Sequence, residues 1–162
     1  MEKYEEKVKK ELEDLTNTQR LLFGACCIDR ILHLIAGFDN FLQENHIKRI
    51  TKEPYLSLCT DWLDSIFLYV NINKDISSDE IEKTLNTLNK IIPDTEEFPD
   101  NVAIFTQNSM IGLSYLYEFI NKNELIFITN CSDKVIETID VMYYETDYER
   151  LDIHYEEDYK IQ

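Results

Sequence analysis

The chain has 162 residues, 44% of them apolar, with only three glycines and three prolines. It therefore holds enough material for one compact domain and is neither collagen-like nor disordered. Thirty-two acidic residues against sixteen basic ones leave a formal charge of -16. That field repels phosphate backbones and anionic lipid headgroups, so neither nucleic acid nor a membrane is expected as a partner.

The first element in chain order is an amphipathic helix, with Tyr4, Val8, Leu12 and Leu15 at steps of four and three among lysines and glutamates. Thr16 and Gln19 have capping-box spacing and open a central helix through QRLLFGACCIDRILHLIAGFDNFLQEN. Its apolar residues cover nearly the whole circumference, which predicts neighbours on most sides. This most apolar stretch is broken by Asp29, Arg30 and His33, short of the roughly 20 uninterrupted apolar residues of a membrane span. Pro54 suits the first turn of the next helix, whose positions Tyr55, Leu58, Cys59, Trp62, Leu63, Ile66, Phe67 and Val70 keep the helical period. Ser77 and Glu80 form a second capping box before Ile81, Leu85, Leu88 and Ile92, and Pro93 stops that helix. Asp100 or Asn101 opens a helix over Val102 to Ile120, and a turn at Asn121 to Asn123 leads into a helix over Leu125 to Tyr144. In the tail, Tyr144, Tyr148, Leu151, Tyr155 and Tyr159 step by four, three, four and four as a helix does, while Leu151, Ile153 and Tyr155 alternate as a strand would. The expected fold is one all-α bundle of about six helices over residues 1–162, with a short β-ribbon near the C-terminus as the alternative for the tail.

Chemistry has little to build on. With glycine only at 24, 37 and 112 there is no phosphate loop, dinucleotide fingerprint or nucleophile elbow. The histidines at 33, 46 and 154 and the cysteines at 26, 27, 59 and 131 show no metal-ligand spacing, and no Glu-x-x-His motif of a di-iron bundle occurs. The cysteines are expected to be free, buried thiols. Cys26, Asp29, Arg30 and His33 share one side of the central helix and would suit a Cys-His nucleophile with Arg30 stabilising the thiolate. The structural alternative makes Asp29 and Arg30 polar fasteners in a helix contact, so that removing either would cost about 3 kcal/mol. No catalytic residue, cofactor or metal is assigned.

The stretch L-E-D-L-x-x-x-Q-x-x-x-F-x-A-C-x-x-D-R-I, from Leu12 to Ile31, together with Phe38, resembles the opening of the bacterial YjaG-like domain-of-unknown-function family. A second match is I-P-x-x-x-x-F, formed by Ile92, Pro93 and Phe98, leading into the helix N-S-M-I-G-L-S-Y-L. The two cover under half of the chain. Asn108 stands where the family has an acidic residue, and the end is shorter. The resemblance implies an all-helical bacterial cytoplasmic protein and brings no activity with it.

Cytoplasmic localisation is also expected because MEKYEEKVKKELEDL lacks both a signal peptide's apolar region and the acid-poor character of a transit peptide. From Glu137 to Gln162 there are nine acidic and two basic residues, and five of the ten tyrosines lie there. Tyrosine supplies rigid contact area at low entropic cost, and dense carboxylates steer a basic partner inward. The expected partner-binding residues are Tyr144, Glu145, Asp147, Tyr148, Glu149, Asp152, Tyr155, Glu156, Glu157, Asp158 and Tyr159. The expected function is a non-enzymatic immunity protein that neutralises a basic nuclease-type toxin encoded next door. The alternatives are an enzyme or metal-binding regulator using the Cys26 to His33 cluster, and a homo-oligomeric structural bundle.

Overall fold

Capping chemistry starts the helices where the local sequence supplies it. In the computed structural model, which describes residues 3 to 158 except 99 and their side chains as far as 144, Thr16 Oγ1 accepts from the Gln19 N–H at 3.2 Å and Gln19 Oε1 accepts from the Thr16 N–H at 2.9 Å. Ser77 and Glu80 repeat the same box at 3.2 and 3.0 Å, and Asp100 caps through Val102 N–H at 3.1 Å. Among the described residues seven α-helices result: α1 (Tyr4–Glu13), α2 (Asn17–Leu32), α3 (Ile35–Glu44), α4 (Tyr55–Ile72), α5 (Ser78–Ile91), α6 (Asn101–Lys122) and α7 (Leu125–Asp158). Among the described residues there is no strand, so the all-α bundle holds.

Three details correct the sequence reading. The central helix is not continuous: the N–H groups of Leu34, Ala36 and Gly37 reach back three residues to Ile31, His33 and Leu34, and this tighter turn separates α2 from α3. Counted as one bent element, the two bring the total to the expected six. Among the described residues there is no β-ribbon, because α7 stays helical to Asp158. Pro54 stands at the N-cap of α4, one position before its first turn.

Proline has no side-chain acceptor, and Asp39 of α3 does its capping. The Asp39 carboxylate, 7% exposed, accepts from the N–H groups of Tyr55 and Leu56, both at 2.9 Å, and Arg49 Nη1 lies 3.7 Å from it. A negative group at a helix N-terminus also meets the favourable end of the helix dipole. Arg20 does the reverse job for α1, donating through Nε to Leu12 O at 2.8 Å and through Nη2 to Glu13 O at 2.7 Å.

The core lies where α2 meets α4, α6 and α7; α3 packs on α4 and α6, α5 on α6, and α1 on α7. Two glycines let α2, α6 and α7 approach closely. A Cβ on Gly24 would stand 2.7 Å from Leu116 Cδ2 and 3.1 Å from Ile128 Cδ1, and one on Gly112 would stand 2.2 Å from Ile28 Cδ1. Two polar side chains in this seam are paired: Ser109 Oγ lies 2.8 Å from Phe105 O and 3.1 Å from Ile31 O, and Asn108 Nδ2 donates to Thr138 Oγ1 at 3.2 Å. Together, α2 and α3 are long and apolar enough by composition to cross a membrane, contrary to the interrupted-run reading, but their apolar side chains supply much of the bundle core.

Candidate functional site

The sequence places its candidate surface on the last helix, and the described part of α7 has two faces. Ile128, Cys131, Val135 and Thr138, at steps of three, four and three, are buried against α6 and α2. The register with α6 follows from the contact of Cys131 Sγ with Gly112 O at 3.4 Å and of Asn108 with Thr138. Since α6 begins at Asn101, it offers α7 about seven further residues after Thr138, and α7 passes the start of α6 close to Tyr144.

Along that last stretch large apolar residues turn to solvent: Ile139 is 55% exposed, Tyr143 66% and Tyr144 67%, with Met142 also exposed. Beside them Asp133, Glu137, Asp140 and Tyr144 fall at steps of four, three and four and share a helix face. Asp133 is part of a crowded negative field. Partial burial, then Glu5 of α1 and Glu137, push its carboxyl above the ordinary aspartate value, against the opposing pull of Lys134. Lys134 itself is engaged, with Nζ 2.6 Å from Glu137 Oε2.

Of the expected partner-binding residues, Tyr144 is exposed and adjoins this stripe. The backbone at Glu145, Asp147, Tyr148, Glu149, Asp152, Tyr155, Glu156, Glu157 and Asp158 is helical, which keeps positions 144, 148, 151 and 155 on one face. Their side chains from 145 onward, and Tyr159 entirely, lie outside the described residues.

The Cys26 cluster fares differently. Cys26, Asp29, Arg30 and His33 are all exposed on the outer side of α2, and no hydrogen bond or ion pair joins them among the described residues. This overturns two expectations. Cys26 is not a buried thiol, and Asp29 and Arg30 fasten no helix contact, because the face that carries them points away from α4, α6 and α7. Arg30 does act on the Cys27 thiol, yet burial outweighs the arginine and pushes that thiol up to about 11, so it stays protonated at neutral pH. Cys59 and Cys131 are free and buried, as expected, and burial raises both thiols further. No group of three or more His, Cys, Asp or Glu side chains among the described residues is arranged to hold a metal ion.

Sequence reasoning missed two places. One is Asp39, whose partners are distant in sequence. The other is a cleft of about 260 Å³ between α4, α5 and α6, floored by the buried Tyr117, whose phenol donates to Trp62 O at 2.8 Å. The helical period marks Tyr117 as a core residue but says nothing about a cavity above it. No family model, curated protein or solved structure matches this chain, so the likeness to the YjaG-like family rests on the quoted residues alone.

Proposed function

We propose that the chain is a non-enzymatic acidic binding protein that captures a basic protein, and specifically an immunity protein that blocks a nuclease-type toxin by direct contact in the cytoplasm. The observation that carries this reading is the solvent-facing stripe of α7, where Ile139, Met142, Tyr143 and Tyr144 lie beside Glu137 and Asp140. Large apolar and aromatic side chains next to dense carboxylates suit a partner whose basic rim surrounds an apolar centre. A nuclease, which must hold a polyanion, supplies such a positive surface. The exposed, unlinked arrangement of Cys26, Asp29, Arg30 and His33 gives the enzymatic alternative no comparable support.

The test is surface plasmon resonance of the purified chain against the product of the adjacent gene, with protection of cells expressing that product. Binding whose association slows steeply with salt, because attraction is screened over about 8 Å at physiological ionic strength, supports the reading. Absence of binding, or protection that survives deletion of residues 137–162, overturns it. A homo-oligomer using the same stripe would instead show itself as a concentration-dependent mass in sedimentation.

A further inference from the structure

The cleft beside Tyr117 has a lining of unusual uniformity. The Ser65 hydroxyl donates its hydrogen to Asp61 O at 3.0 Å and the Thr87 hydroxyl donates its own to Lys83 O at 2.9 Å. Each has spent its one donor on its own helix and turns only lone pairs to the cavity. The phenol of Tyr117 is likewise committed to Trp62 O, and Thr84 is hydrogen-bonded to that phenol. The interior therefore asks a ligand for donors.

The mouth asks for the opposite. Lys74 and Lys83 line it, and among the described residues neither forms an ion pair. Glu80 stands at the same opening, its Oε2 held 3.0 Å from both the Ser77 N–H and the Ser77 hydroxyl and its charge acting on Lys74. Two ammonium groups at one opening, neither held in an ion pair among the described residues, stand out in a chain of charge -16, although Lys74 also feels the charge of Glu80. Asp75, at the same opening, together with that overall charge turns away extended polyanions. The half-buried Trp62 supplies a flat apolar wall.

We propose that this cleft binds a monosaccharide bearing one carboxylate or phosphate group, with sugar hydroxyls donating to Ser65 and Thr87, the apolar sugar face against Trp62 and the anion at Lys74 and Lys83. Each ligand feature answers a feature of the lining. A hydrocarbon would leave the hydroxyl lone pairs unmet, a bare anion would leave the interior empty, and a neutral sugar would forgo the two lysines. The volume, below the range of drug-sized pockets, suits one ring. The site lies on α4, α5 and α6, and the proposal is independent of the toxin-binding reading of α7.

Trp62 is the only tryptophan in the chain, so its fluorescence reports on the cleft directly. Titration of the full chain with glucuronate and with glucose-6-phosphate is expected to give a saturable change, and the tighter of the two identifies the anion. Glucose should bind at least about tenfold more weakly, as should either anionic sugar to Lys83→Gln. Lys83 is exposed, so this variant should melt like the parent; if it does not, Lys74→Gln takes its place. No saturable change up to about 10 mM ligand, an unchanged isotherm in the lysine variants, or a full response to inorganic phosphate alone overturns the proposal.

Discussion

Two sets of apolar side chains on α7, one on each side of Thr138, obey the same helical geometry and meet opposite fates. Before it, Ile128, Cys131 and Val135 are drawn into a seam made narrow by Gly24 and Gly112. After it, Ile139, Tyr143 and Tyr144 are no less apolar, yet they stand in water. Hydrophobicity alone did not sort them. What sorted them is the supply of neighbours: α6 runs beside α7 as far as about Tyr144, yet among the described residues no helix covers the side chains of this second set. An apolar side chain is core only where another element arrives to meet it, and an uncovered row is a surface with an unmet demand.

The sharpest way to break this contrast is to spoil the seam. Gly112→Val would drive methyl groups into Ile28, which is itself fully buried, and is expected to cost about 3 kcal/mol, read as a fall in the denaturant midpoint. Asp39→Ala removes the acceptor for one buried and one part-buried N–H group at the start of α4 and the partner of Arg49. It should cost about 2 kcal/mol in the same assay. The outer stretch should behave otherwise. Tyr144→Ala is expected to leave stability within about 0.5 kcal/mol while speeding release of the basic partner, by an amount worth about 2 kcal/mol if Tyr144 is a central anchor. A melting temperature that falls with Tyr144→Ala as far as with Gly112→Val would erase the distinction.

Arg30→Ala should fall within about 0.5 kcal/mol of the parent, in place of the 3 kcal/mol that a buried fastener would cost. The gentlest effect is on pH. The N–H and hydroxyl of Ser77 hold the Glu80 carboxyl below its ordinary value, so its support of α5 is present at neutral pH and is lost as pH falls through that lowered value. Glu80→Gln should therefore flatten the acid side of the stability profile slightly.

The helices were legible because their signals are local. The boxes at Thr16 and Ser77 need only three residues to be recognised, and the steps through Tyr55 to Val70 need only the period. Asp39 was not legible, since its partners lie 16 and 17 residues away and Pro54 conceals the need for an acceptor. Nor could the period tell which of the charges on the central helix would be buried. Asp29, Arg30 and Asp39 sit in equally apolar company, and only the turn at His33 and Leu34 and the placement of α4 decide that Asp39 alone goes inside. For the candidate site, the sequence identified the acidic, tyrosine-rich end. It did not foresee that Ile139 and Met142 would join the exposed stripe, because exposure depends on which neighbouring helix reaches each side chain.

The reach of Asp39 to Tyr55 and Leu56 has a consequence for how the molecule opens. A helix capped by its own sequence can fray at that end by itself, but the first amides of α4 are closed by a carboxylate borrowed from α3. Their exchange with solvent deuterium is therefore tied to separation of the two helices, so α3 and the start of α4 form one cooperative unit. Tyr55 adds a second latch, since its phenol accepts the Ile50 N–H at 3.1 Å and binds the intervening loop to the same event.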